Sequence, residues 1–342
     1  MKTKLKYMMN RAAILALAGA AICATPEATL AQAVEQSEAI ASSDVLSQIS
    51  MFSYRDGPKS DLFLRGTPIA ANAQGSVRVE YQDGNARISA NVQKLPEPAT
   101  LGPYTTYVLW AVTPDGRATN QGVIAGIEGG KGELDTEYSA SQFALIVTAE
   151  PHFAVSVPST MIALYNVGDK VKGAESKVMT LTERADYSSL TRIAIDKTTP
   201  LEVVQARYAV AIAKSAGADR FAMPAYASAT TKLAAAESAL LGKSSQRKTA
   251  PELAREAVTA GEDARRAGML ASAAAATETK RLTAENAANA ATEVAARAAT
   301  ASTVAATQVA TDVERERSAE EAAVNARRDL LGRLNAALPT SA

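Results

Sequence analysis

The sequence predicts a multi-domain β + α protein: an antiparallel β-sandwich, then an α-helical hairpin, then a long alanine-rich helix with coiled-coil character. Three observations carry this. Two runs of strict apolar–polar alternation flank Asp83-Gly84. Two helix-like segments each open near a proline and close on a glycine. Finally, the 88 residues from Pro251 to Leu338 have no proline after the first and include 29 alanines, the strongest helix former.

Residues 1–33 read as a secretory signal. Lys2, Lys4, Lys6 and Arg11 make its basic start, Ala12–Ala24 its apolar centre, and Ala31-Gln32-Ala33 an A-x-A cleavage site. The apolar run is too short for a transmembrane helix, so no span is expected after cleavage. Cys23, the sole cysteine, falls inside this segment, with Ile22 where a lipid-acceptor motif needs a small residue. After cleavage the chain has no thiol, hence no disulfide and no cysteine-based metal site. It keeps 32 basic and 35 acidic residues, a formal charge of −3. Its basic residues form no block beyond pairs such as Arg265-Arg266 and Arg327-Arg328. That argues against nucleic acid or anionic lipid as a partner.

Residues 34–60 are a polar lead-in that opens on a short helical pattern, Val34–Ile49. The β-domain is expected over 61–196. Val77, Val79 and Tyr81 alternate with Ser76, Arg78 and Glu80. Beyond the D-G turn, Ile88, Ala90 and Val92 alternate with Arg87, Ser89 and Asn91. Tyr104–Thr113 is apolar on both faces, as a central strand is. Further short runs at 122–126, 132–138, 143–149, 160–167 and 176–181 suggest an immunoglobulin-like sandwich of seven to nine strands.

A helical hairpin follows over 198–242. Leu201–Ser215 ends at Gly217, and Pro224–Leu241 ends at Gly242. The long helix spans 251–338, about 130 Å if straight at ~1.5 Å per residue. Leu253, Ala257, Ala260, Ala264, Ala267, Ala271 and Ala274 keep a 4-3-4-3 spacing. The seam resumes from Ala284 to Val309 after a step one residue short, a stammer that overwinds the helix locally. Weak self-association along this seam is favoured over an isolated helix.

Particular words carry a resemblance. TYVLWAVTPDGRATNQGVI and FALIVTAEPHFAV, within residues 60–168, resemble a β-sandwich found ahead of OmpA-like domains in bacterial envelope proteins. They are more distantly similar to the extracytoplasmic domain of anti-sigma-K factors. ARYAVAIAKSAGADRFAMPAYASATTKLAAAESAL and LLGRLNAALPT resemble the paired helices and the joint that precede such a domain. The sequence ends at Ala342, where the resemblance would place the peptidoglycan-binding module, so direct wall binding does not carry over.

Chemistry-bearing candidates are few. His152, the only histidine, reads as a loop residue packed on Phe153, because no G-x-S-x-G elbow supports a general base. One histidine leaves the common zinc sets without ligands, so no metal or cofactor is expected. Asp312, Glu314, Glu316, Glu320 and Glu321 sit among arginines at helical spacing, as a solvated face does. Glycine-rich 126–132 lacks the phosphate-loop spacing and reads as a hairpin loop. Tyr104, Tyr107, Trp110, Phe143 and Phe153 read as core rather than as a ligand groove. No catalytic residue is assigned. The expectation is an exported, non-enzymatic periplasmic or envelope protein that spaces, tethers or binds an envelope protein partner. Alternatives are a ligand- or regulator-binding sensor and a truncated relative of an OmpA-like peptidoglycan tether.

Overall fold

A computed structural model describes residues 49–167, 171, 175–178, 181–196 and 198–337. The signal sequence with Cys23, and nearly all of the helical pattern expected at 34–49, lie outside these residues. By its internal contacts the chain divides at Gly268/Met269, so residues up to 268 form one unit and residues from 269 another.

Among the described residues the first unit has ten strands: β1 (Ser50–Ser53), β2 (Lys59–Gly66), β3 (Gln74–Gln82), β4 (Asn85–Gln93), β5 (Thr106–Val112), β6 (Ala118–Val123), β7 (Gly132–Tyr138), β8 (Gln142–Glu150), β9 (Ile162–Asn166) and β10 (Glu175–Val178). All strand pairs are antiparallel. The sequence expectation was two packed sheets. Instead the pairing runs through one continuous sheet, in the order β10-β1-β8-β9-β2-β3-β4-β7, with β5 on β8 and β6 on β5. An isolated bridge between Ala125 and Glu133 ties the end of β6 to the start of β7. It closes the circuit into a near-barrel, which removes edges that a sandwich would leave open.

Each strand follows from its side-chain pattern. The β3–β4 hairpin turns at Asp83 and Gly84, with φ of 50° and 86°, the two left-handed residues a tight hairpin needs. Val79 faces Ile88 across it, both fully buried. The short strand β1 was not expected inside the polar lead-in. It is held by β8 and β10, and by Asn166, which accepts from the Leu145 N–H and donates to the Ser50 carbonyl. β6 begins at Ala118, four residues before the run assigned to it, because its partner is the Val108–Val112 stretch of β5.

The registers sort the two apolar faces of β5 and β8. Val147 pairs with Leu164, which pairs with Gly66, in step with Leu64, Leu62 and Val77. Val147, Leu145, Leu109 and Tyr107 therefore point into the barrel. Thr106, Val108, Trp110, Ile146, Thr148 and Glu150 line its outer wall, and all are buried. The helices supply the cover: Val204, Tyr208 and Ile212 join the same hydrophobic cluster, with Leu181 and Tyr187.

The helices are α1 (Pro98–Leu101), α2 (Leu201–Ser215), α3 (Ala218–Phe221), α4 (Met223–Leu241), α5 (Ser244–Arg247) and α6 (Ala250–Ala337). Gly217 sits in the left-handed region at φ 79°, ending α2 where the sequence placed the stop. Within the first unit α6 buries Ala254, Ala257, Gly261, Ala264 and Gly268. This stripe shares only Ala257 and Ala264 with the expected seam, and it runs through both glycines. A Cβ on Gly261 would stand 2.8 Å from the Ala209 Cβ and 3.0 Å from its carbonyl carbon. One on Gly268 would stand 2.8 Å from the Ala218 backbone. Close helix approach, not alanine burial alone, fixes the register.

In the second unit, residues 269–337 continue α6. Apart from the half-buried Ala271 and Ser272, the residues whose burial is described there are exposed. Among the described residues no helix is long and apolar enough to cross a membrane.

Replacing Gly261 by Val should cost about 1–3 kcal/mol through overpacking on the Ala209 backbone. Replacing exposed Ala273 by Val should cost only its helix propensity, about 0.5 kcal/mol. Chemical denaturation followed by the single tryptophan, Trp110, measures both. Equal losses would show that the glycine stripe does not set the packing.

Candidate functional site

The outer wall carries a buried polar network, which an all-apolar interface would not need. The Trp110 indole N–H donates to the Thr148 hydroxyl at 2.7 Å. Thr148 in turn donates to Oε1 of Glu150, and the Ser159 N–H donates to the same oxygen at 2.7 Å. Ser159 also donates its hydroxyl to the Ala149 carbonyl. Alternation places Trp110, Thr148 and Glu150 on one face, and the loop after β8 folds back to supply Ser159.

Oε2 of Glu150 is buried and has no hydrogen-bond partner among the described residues. Burial dominates its chemistry and pushes the carboxyl up to about 8, against the opposing hydrogen bonds of Thr148 and Ser159. Glu150 is thus a neutral acid at pH 7, with Oε1 accepting twice and the proton left to Oε2.

His152 is fully buried, and neither ring nitrogen has a hydrogen-bond partner among the described residues. It lies in the loop after β8, as expected, and is enclosed there. Burial lowers it to about 4, partly offset by Glu262 and reinforced by Arg265. Among the described residues, therefore, no serine hydroxyl rests on the imidazole as a nucleophile–base pair requires.

Beside it, α6 clasps the loop after β8. Arg265 makes paired hydrogen bonds to Glu262 at 2.8 and 2.7 Å. Glu262 accepts from the hydroxyl and N–H of Ser156 at 2.6 and 3.1 Å, and Arg265 donates to the Ser156 hydroxyl. Burial alone would raise the Glu262 carboxyl, but Arg265 and Ser156 outweigh it and hold the carboxyl below its usual range. An ion pair this enclosed is weakly stabilising as a pair and costly to break from one side. The clasp therefore fixes α6 more than it strengthens the fold.

A cleft of about 850 Å³ opens at the margin of this layer. It lies between α1, the start of β5, the β6–β7 loop and the segment 195–201. The glycine-rich stretch 126–132 is the loop expected, and Gly126, Gly129 and Gly130 line the cleft. Tyr104, Tyr107, Trp110 and Phe143 are buried in the core, and Phe153 packs against the helix cluster. None of the five lines the cleft.

Among the described residues no group of three or more His, Cys, Asp or Glu side chains is placed to hold a metal ion. Asp312 pairs with Arg315 and Glu321 with Arg317, all exposed. Sequence reasoning missed Glu150, Glu262 and Arg265. A charge at the end of an unbroken apolar strand was the available signal for Glu150; nothing local marked the other two.

Two opposite pH effects follow. Glu150 binds its proton more tightly folded than unfolded, so its contribution falls as pH rises from about 4.5 to about 8. His152 binds more weakly when folded, so its contribution falls as pH drops from about 6.5 to about 4. Of these two groups, Glu150 dominates between pH 6.5 and 8. The unfolding free energy should decline there by on the order of 2 kcal/mol, and Glu150→Gln should flatten that limb while leaving the acid limb. Urea unfolding at half-unit pH steps checks it; an unchanged alkaline slope in the variant would refute the assignment.

No protein-family model, no curated protein and no solved structure matches this chain.

Proposed function

We propose that this is an exported envelope protein that acts as a spacer or tether, its β-rich unit engaging an envelope protein partner and its long helix setting distance. The observation that carries the reading is the exposed continuation of α6 over residues 269–337. A spacer must stay helical without a core, and this sequence has the means. Alanine supplies propensity. Arg281 bridges Glu278 and Glu285, and Arg297, Arg315, Arg317 and Arg333 each pair with an acid three or four residues away, each worth a few tenths of a kcal/mol. Threonines such as Thr279, Thr292 and Thr303 return their hydroxyls to carbonyls one turn back, so they need little from a partner.

One face is suited to weak self-association. Val309, Val313, Val324, Leu331 and Leu334 are all exposed. At 3.6 residues per turn they fall within about 80° of helix surface. Val294 and Val304 fall outside that sector. The resemblance of the β-rich and paired-helix segments to regions found ahead of OmpA-like domains in bacterial envelope proteins supports an envelope setting.

Two measurements test the proposal. Mass-spectrometric mapping of protein from the envelope fraction should give Val34 as the mature N-terminus; an intact Met1 would sink export. Replacing Val313, Val324 and Leu331 together by Gln should abolish concentration-dependent association in analytical ultracentrifugation without lowering helicity. Association unchanged by the triple variant would remove this face from the tether.

A further inference from the structure

The outer-wall cleft differs from the core in one respect: it is apolar but not closed. Leu95, Val123, Ile124, Ile127, Ile195 and Leu201 line it. Ile195 and Leu201 remain 41% and 39% exposed, while Ile124 and Leu95 at its base are buried. Its volume lies in the range of small-molecule sites.

Two hydroxyls also line it. Thr105 is occupied: it donates to the Pro151 carbonyl at 2.9 Å and accepts from Gln205 Nε2 at 3.0 Å. Thr106 is 6% exposed. Among the described residues none makes a hydrogen bond to its hydroxyl. Its oxygen is not among the buried polar atoms left without a partner, so it is open to solvent in the cleft, where a bound donor or acceptor can take the place of water. The registers place this side chain on the outer wall, the side on which the cleft lies.

The charge is of one sign. Glu97 and Asp196 are the ionisable side chains described in the lining, and both are carboxylates. Hydrogen bonds from the hydroxyl and N–H of Thr198, then from Thr199, hold Asp196 down to about 2, so it stays charged at any physiological pH. No lysine, arginine or histidine lines the cleft among the described residues. A carboxylate or phosphate ligand would meet repulsion without a counter-charge, whereas a cation meets attraction.

We infer that this cleft is a binding site for a small amphipathic primary amine. Its aliphatic chain lies along the Leu95–Ile124–Ile195 surface, and its ammonium supplies N–H donors to the open Thr106 hydroxyl and charge to the Glu97 and Asp196 carboxylates. A primary ammonium has three donors and no acceptor, and the Thr106 oxygen and the two carboxylates are acceptors for them. This goes beyond the spacer role, since the cleft lies wholly within the β-rich unit and requires nothing of residues 269–337.

The test uses the full chain and decylamine, titrated calorimetrically below its micelle concentration. Saturable one-to-one binding is expected. Thr106→Val, which keeps shape and removes the hydroxyl, should weaken decylamine about tenfold and leave decyltrimethylammonium, which has no N–H, unchanged. Glu97→Gln should weaken both cations roughly two- to fivefold. Ala99→Phe, on the half-buried α1 wall, should fill the cleft and abolish binding. Trp110 fluorescence confirms that each variant unfolds at the wild-type midpoint. Absence of saturable decylamine binding to the wild type overturns the proposal. So does decanoate binding as tightly as decylamine, or undiminished binding by a folded Ala99→Phe.

Discussion

The structure depends on two strands that are apolar on both faces. One face of β5 and β8 fills the barrel; the other would leave Val108, Trp110, Val112 and Ile146 in water. Exposing that wall would forgo roughly 1.5–3 kcal/mol for each large side chain. The cover comes from α2 and the segment before it. α2 cannot stand alone at its length, so it is backed by α4 and the first turns of α6 through Val203, Ala206, Ala236, Ala254, Ala257 and Val258. The helices of the first unit are therefore a consequence of β5 and β8 and not an appended module. The cover also seals in Thr148 and Glu150, which must then satisfy one another.

Much of the β architecture was legible because its determinants are local. The Asp83-Gly84 turn admits only a tight hairpin, and strict alternation left one register for Val79 and Ile88. The two-faced apolarity of residues 104–113 announced a covered strand. Closure was not legible, because it rests on one bridge, Ala125 to Glu133, between residues with no periodic signal. β1 was lost for a related reason: its four residues become a strand through β8, β10 and the Asn166 side chain, all distant in sequence. The full burial of His152 was not legible, because burial of a turn residue depends on what packs around it; the charges of Glu262 and Arg265, more than a hundred residues later, lie close enough to act on it.

The long helix shows the limit of a repeat pattern. Its 4-3-4 spacing continues well past residue 300, yet burial ends at Gly268 apart from the half-buried Ala271 and Ser272. Alanine presents too little area per layer to decide packing by itself. What separates the packed turns is Gly261 and Gly268, which admit backbone contact with Ala209 and Ala218, together with Val258 and the Glu262–Arg265 clasp on Ser156. A glycine in a helix interior costs about 1 kcal/mol against alanine. Two of them seven residues apart, on the stripe of Ala254, Ala257 and Ala264, were the readable sign of a docking face. They look like interruptions only while alanine is taken as the contact residue.

The same layer explains why the candidate sites lie where they do. Where the cover is complete, ionisable groups are forced neutral or paired: Glu150 keeps its proton, His152 loses one, and Glu262 holds its charge because Arg265 and Ser156 are beside it. Fully enclosed groups of this kind tune stability and offer nothing to a solute. At the margin, between α1 and the segment 195–201, the cover stops short of the β5–β6 corner, and the glycine loop after β6 brings Ile127 and three glycines to the lining, too little to finish it. The wall there keeps its apolar character and the hydroxyl of Thr106, but not its lid. An incomplete second layer on a two-faced strand thus produces a cleft as a matter of geometry, and the carboxylates of Glu97 and Asp196 at that margin determine the charge it accepts.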